Sequence, residues 1–205
     1  MRSPFSVDAG SPLRWSGGMK RCTDLAGSLV GLAAGAPLLA GLALLVLLVD
    51  GRPVFFVQPR VGLGGRRFPL LKLRTMRRPG AAETRMETGE PEATRLGTLL
   101  RRFRLDELPQ LFNVLAGQMS LVGPRPEQPH LAESYAVTIP RFEERLSMRP
   151  GLTGLAQVSL PPGEGEEYAR LKLEYDLQYA SRASPLLDAA ILLRTIPAIW
   201  RHRTI

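Results

Sequence analysis

The chain has one cysteine, Cys22, two histidines and only three lysines among its 205 residues. A single cysteine excludes an internal disulfide and leaves no cysteine cluster for a metal, so the domain is expected to face a reducing compartment. His130 and His202 have no spacing that suits a metal site, and no Ser-His-Asp or Cys-His arrangement can be assembled around them. Acidic side chains are in the minority, with 19 Asp plus Glu against 27 Lys plus Arg, a net charge of +8. The excess selects an anionic partner: nucleic acid, anionic lipid or a phosphorylated substrate. Composition does not choose among the three. Because lysine is scarce, 24 of the 27 basic residues are arginines, whose planar fork suits bidentate contact with phosphate or carboxylate. No internal repeat is found, and the length suits one catalytic core with appendages.

Charge is wholly missing from 25 consecutive residues, Leu25 through Val49. A helix needs about 20 apolar residues to cross a bilayer, so this is a membrane segment, and it is too long for the apolar part of a cleaved signal peptide. Pro37 sits at its centre, where a proline removes a hydrogen bond and clashes with the preceding turn. Each arm of a helix bent there would be about 12 residues, or roughly 18 Å, which reaches only about halfway through a ~30 Å hydrocarbon core. Both flanks are basic, with Arg14, Lys20 and Arg21 before the run and Arg52, Arg60, Arg66 and Arg67 after it. Basic flanks mark the cytoplasmic side. The residues alone leave a re-entrant helix and a kinked spanning helix on even terms. Residues 1–18, rich in Ser, Gly and Pro, read as a disordered leader, residues 19–50 as the membrane helix and residues 51–205 as the catalytic domain.

Within that domain, Pro53 to Gln58 and Phe68 to Leu73 read as two strands joined by the Gly62–Gly65 turn. Pro79 to Pro91 has almost no apolar content and reads as a surface loop. Leu96, Leu99, Leu100 and Phe103 follow helical spacing from Thr94, and Leu108, Leu111, Phe112 and Leu115 define a second helix that starts near Asp106 and stops at Gly117. Ser184-Pro185 looks like an N-cap and first residue of a helix running through Trp200. Its Leu186, Leu187, Ile191, Leu193 and Ile196, with Arg194 and Arg201-His202-Arg203, suit a membrane interface or a core-packing helix equally. The fold class is therefore α/β: a small, mainly helical domain with a short β-hairpin, an N-terminal membrane helix and amphipathic helices.

Chemistry is concentrated in Leu105-Asp106-Glu107-Leu108-Pro109, followed nineteen residues after Asp106 by the arginine of Gly123-Pro124-Arg125-Pro126. Two acidic residues at a helix start are ordinarily caps that offset the helix dipole. The same location keeps a carboxylate ionised, and an ionised Asp can attack phosphorus or hold Mg²⁺, so both roles stay open. Prolines on both sides of Arg125 restrict its backbone and lower the entropy lost when its guanidinium grips a phosphate; a plain surface turn is the alternative. Lys72 and Arg74, two apart on a strand, would share one face, and Arg149-Pro150-Gly151 offers another rigid arginine. Asp176 is a weaker candidate for a second acidic ligand.

Together these residues resemble the small monotopic phosphoglycosyl transferases, or bacterial sugar transferases, from about Lys20 to Trp200. The resemblance is carried by Lys20-Arg21-Cys22-Thr23-Asp24, Gln58-Pro59-Arg60-Val61-Gly62, Phe68 through Lys72-Leu73-Arg74-Thr75-Met76, the Leu105–Leu115 block, Gly123–Pro126, and Arg149-Pro150-Gly151-Leu152-Thr153-Gly154-Leu155-Ala156-Gln157-Val158. It implies transfer of a sugar 1-phosphate from a UDP-sugar to undecaprenyl phosphate with release of UMP, at the cytoplasmic face of the bacterial inner membrane. It further implies Asp106 as nucleophile in a two-step, ping-pong route through a phosphosugar-aspartyl intermediate, and Glu107 as its helper. Asp106 and Glu107 would also hold Mg²⁺. Lys72, Arg74, Arg125, Arg149, Gln157 and Asp176 are the implied substrate-binding residues. The bilayer is the implied partner and nucleic acid is not; a homodimer is left open. The family's re-entrant helix matches a bend at Pro37.

Two departures stand out. Ala36 replaces the serine that often precedes the bending proline, so the bend rests on Pro37 and its packing. After Gln157-Val158 the chain continues Ser159-Leu160-Pro161 instead of Asn-Gly-Arg, which removes an arginine expected near phosphate. The competing reading is a membrane-tethered, Arg-rich module that binds nucleic acid or anionic lipid without catalysis.

Overall fold

The computed structural model describes residues 17–77 and 92–201. All but the end of the expected leader, the Pro79–Pro91 loop and the terminal His202-Arg203 lie outside the described residues. The charge-free run forms α1 (Gly18–Val49), 32 residues that continue in helical conformation through Pro37. It is long and apolar enough to cross a membrane. Leu29, Val30, Leu38, Leu44, Leu45, Leu48 and Val49 lie exposed along it.

Both ends of α1 are fastened to the rest of the protein, because its few polar groups find partners there. Near its start, Asp24 Oδ1 accepts from Ser120 Oγ and from the Leu121 amide, each at 2.9 Å. Lys20 Nζ lies 2.6 Å from Asp188 Oδ2, and Tyr179 donates to Asp188 Oδ1 at 2.6 Å. At the far end, Val46 packs with Leu73 and Leu100.

The expected hairpin forms with its first strand shifted toward the turn, β1 (Phe55–Val61) lying antiparallel to β2 (Arg67–Leu73) with Phe55 opposite Leu73. Phe68 and Leu70 of β2 turn inward against Val114 and Met119. Thr94 caps α2 (Arg95–Arg102), its hydroxyl accepting from the Gly97 amide at 2.8 Å and donating to Asp50 Oδ2 at 2.9 Å.

The second helix differs from expectation. Leu105–Glu107 is a single 3₁₀ turn, and the regular helix, α3 (Gln110–Leu115), opens only after Pro109. Proline has no amide to donate and pre-sets the backbone for a first turn, so α3 begins behind it. Gly117 at φ +77° then ends it as expected.

A second sheet is present that no residue pattern announces. In it β3 (Ser120–Val122) lies parallel to β4 (Gly151–Thr153), with Ser120 opposite Gly151 and α4 (Pro129–Thr138) between them in the chain. The two backbones nearly touch: a Cβ on Gly151 would come within 2.1 Å of the Gly123 nitrogen, so only glycine fits. α5 (Leu155–Ser159), α6 (Glu166–Arg182) and α7 (Pro185–Arg201) complete the fold. Ser184 caps α7 by accepting from the Leu187 amide at 3.2 Å. α7 packs into the core on one face, where Ile191 is buried with Val122, Met148 and Tyr179, whereas Leu186, Leu193, Ile196 and Trp200 are exposed.

Candidate active site

Arg104 takes a left-handed backbone, φ +57° and ψ +20°, and turns the chain out of α2 into the 3₁₀ turn. Such a conformation in a non-glycine residue costs about 1 kcal/mol or more and tends to mark functional segments. The turn places Asp106 and Glu107 side by side and nearly buried, at 5% and 7% exposure. Arg125 arrives on the loop after β3 and donates from Nη2 to Glu107 Oε1 at 2.6 Å, while Arg104 donates to the same oxygen at 3.2 Å. Burial alone would raise the Glu107 carboxyl, but Arg125, then Arg104 and Lys72, outweigh it and hold Glu107 ionised, well below the usual carboxylate range. Glu107 in turn pushes the Arg125 guanidinium up.

Asp106 behaves oppositely. Burial, and then the negative charge of Glu107, raise its carboxyl above the usual value, against the pull of Lys72, Arg101 and Arg104. No side chain among the described residues donates a hydrogen bond to it. Lys72 of β2 faces this pair; burial lowers its ammonium, with Glu107 opposing and Arg125 reinforcing the shift. Two carboxylates of unequal character, ringed by Lys72, Arg104 and Arg125, make a site that is poised for an anion.

The remaining expected residues divide. Lys72 and Arg125 converge on the acidic pair. Arg74 does not: it is buried, and its guanidinium donates to the carbonyls of Asp50, Gly51 (2.8 Å) and Arg52 (3.3 Å), at the C-terminal end of α1. Arg149 donates from Nε to the Gly117 carbonyl at 3.0 Å. Gln157 donates to the Leu152 carbonyl at 3.2 Å, and its buried Oε1 has no partner among the described residues. Asp176, at 2% exposure, accepts from Arg145 Nε at 2.9 Å.

Arg104, Arg60 and Arg145 also serve the site, though none of them stood out as a site residue along the chain. Arg60 donates to the Pro126 carbonyl at 3.1 Å and is lowered by burial and by Arg125, which puts it against the same loop. Its place in Gln58-Pro59-Arg60-Val61-Gly62 was the available signal; Arg145 had none.

For a divalent cation, the donors among the described residues are Asp106 and Glu107 alone, with no third His, Cys, Asp or Glu beside them. Two carboxylates, one of them without a side-chain donor among the described residues, fit the way Mg²⁺ is commonly held, through one or two carboxylates completed by substrate phosphates and water.

A membrane-sized apolar helix is thus fastened to a domain that brings a buried carboxylate pair and its cations together. The chain belongs to the bacterial sugar transferase family, which it matches over residues 15–202. It is 43% identical, over 88% of its length, to a UDP-glucose:undecaprenyl-phosphate glucose-1-phosphate transferase of Caulobacter vibrioides. It is 38% identical, over 88% of its length, to a UDP-N-acetylgalactosamine-undecaprenyl-phosphate N-acetylgalactosaminephosphotransferase of Aeromonas hydrophila. It is 38% identical, over 87% of its length, to the exopolysaccharide production protein PSS of Rhizobium leguminosarum. The chain spans 69% of the Caulobacter protein and 93% of the Rhizobium protein, but 43% of the Aeromonas one.

Proposed function

We propose that this protein transfers a sugar 1-phosphate from a UDP-sugar to undecaprenyl phosphate, releasing UMP, in two displacements on Asp106. In the first, a carboxylate oxygen of Asp106 attacks the phosphorus that bears the sugar; the bond from that phosphorus to the UMP oxygen breaks, and its electron pair leaves with UMP. In the second, a phosphate oxygen of undecaprenyl phosphate attacks the same phosphorus and the carboxylate is released. The single observation that carries the reading is the asymmetric pair: Arg125 and Arg104 hold Glu107, whereas no side chain among the described residues donates to Asp106. Splitting the transfer in two lets a hydrophilic donor leave before a lipid enters.

Arg125 and Lys72 bind and orient the donor's phosphates, and Glu107 keeps Arg125 in place between turnovers. Asp106 and Glu107 would hold Mg²⁺, which supplies charge neutralisation between nucleophile and phosphate. The exposed apolar faces of α1 and α7 sit in the cytoplasmic leaflet of the inner membrane, with α1 re-entrant at Pro37. Fastening both ends of α1 to one domain supports that arrangement, since a spanning helix sends one end to the far side.

The nucleic-acid-binding alternative is disfavoured because Arg21, Arg74, Arg145 and Arg149 are engaged by backbone carbonyls of their own chain. The test is UMP release by the purified full chain in nanodiscs with undecaprenyl phosphate, Mg²⁺ and a panel of UDP-sugars. UMP from one donor is expected. UDP release would overturn the reaction, and silence across the panel would overturn the substrate class.

A further inference from the structure

Pro124 and Pro126 contribute no amide protons, so the loop that presents Arg125 is held almost entirely through its carbonyls. Four in succession are caught by different elements. The Pro124 carbonyl accepts from the Gly151 amide at 2.8 Å, and the Glu127 carbonyl from the Val61 amide at 3.0 Å. The two between are taken by side chains: Arg145 Nη2 donates to the Arg125 carbonyl at 2.8 Å, and Arg60 Nη1 to the Pro126 carbonyl at 3.1 Å. Arg145 is 4% exposed and cannot reach a substrate. Its Nε and Nη2 lie 2.9 and 2.7 Å from Asp176 Oδ2, and Nη1 lies 3.6 Å from Glu127 Oε1, a carboxylate that also takes Lys172 at 2.5 Å. A buried ion pair is a poor stabiliser compared with apolar side chains of the same volume. What it supplies is direction: Asp176 fixes the plane of the Arg145 guanidinium, and that plane fixes the backbone from which Arg125 projects.

Resting on the proposed reaction, we propose that Arg145, oriented by Asp176, is a positioning residue for Arg125 that governs capture of the nucleoside diphosphate donor without touching it. Asp176 thereby serves behind the site and not as a ligand in it.

The experiment is a double-mutant cycle on the full chain in nanodiscs, crossing Arg145→Met/Asp176→Leu with Arg125→Ala and reading donor kcat/KM, acceptor kcat/KM and Tm. The Met/Leu replacement removes both charges together, so no unpaired charge is left by the change itself. Arg145→Lys, which keeps the charge and loses the fork, is the second variant should the first fail to fold. We expect donor kcat/KM to fall on the order of tenfold or more in either variant, as small misplacements of binding groups do. Acceptor kcat/KM should change by less than about twofold. In the Arg125→Ala background the same changes should cost almost nothing further, because residues acting through one group are not additive. An additive loss in that background, an equal loss for donor and acceptor, or an unchanged donor kcat/KM in a folded variant overturns the inference. A native chain that releases no UMP from any UDP-sugar instead overturns the proposed function, and the inference with it.

Discussion

Arg125 Nη2 sits 2.6 Å from Glu107 Oε1, a contact between residues eighteen apart in the chain. The pairing keeps Glu107 ionised inside a nearly closed site. It also pre-orders the guanidinium that an incoming phosphate would otherwise have to immobilise.

Replacing Asp106 with Asn keeps volume and hydrogen-bonding capacity but removes the attacking oxygen. UMP release should fall by about 10³-fold or more, as expected for loss of a covalent nucleophile. Tm should stay within a few degrees, since removing the charge also removes repulsion with Glu107. Retention of more than a few per cent of activity would place the nucleophile elsewhere.

Burial and Glu107 raise the Asp106 carboxyl, and attack requires its ionised form. Single-turnover UMP release should therefore decline as pH falls through this raised value. Glu107→Gln removes the charge that opposes ionisation, so the residual activity of that variant should show its acid limb at lower pH than the native chain. A limb displaced to higher pH would contradict the assignment.

Linkage gives Glu107 a second signature. Its carboxyl is depressed in the folded state, so its contribution to stability is complete above the ordinary carboxylate range and is lost as pH falls below about 4.3. Thermal unfolding of the native chain should weaken steeply with acidification from about pH 5 to about pH 3, and Glu107→Gln should flatten that dependence. Equal slopes in the two proteins would mean that Glu107 is not depressed.

Arg74 clamps the chain at the C-terminal end of α1 through three consecutive carbonyls. Arg74→Met should destabilise by about 2 kcal/mol, in line with losing charge-assisted hydrogen bonds to partly buried carbonyls, while donor KM stays near the native value. A large rise in donor KM with unchanged Tm would move Arg74 into the substrate site.

Cys22 is exposed near the start of α1, and Arg52 is exposed just past its end. In inverted vesicles, whose outer surface is the cytoplasmic face, a membrane-impermeant maleimide should reach both Cys22 and, in a Cys22→Ser background, Arg52→Cys, and in right-side-out vesicles neither. Labelling from opposite sides would make α1 a spanning helix.

Much of this was legible along the chain because the signals were local. An uncharged run of 25 residues, the two strands around the Gly62–Gly65 turn, the Thr94 and Ser184 caps and Gly117 as a stop each reflect one-dimensional rules of burial and backbone geometry. Adjacency made Asp106-Glu107 visible, and the flanking prolines made Arg125 visible. The tertiary structure alone decided which cations serve which purpose. Lys72 and Arg74 read alike as alternate residues of one strand, yet Lys72 meets the acidic pair while Arg74 is consumed at the end of α1. Asp176 read as a ligand and is instead buried against Arg145. Arg145 and Arg60 carried little or no signal, since an arginine's role depends on which carbonyl or carboxylate the fold brings within about 3 Å of its fork, and those partners lie far away in sequence. The β3–β4 pair was hidden for the same reason: three-residue strands depend on a long-range backbone approach that only Gly123 and Gly151 permit.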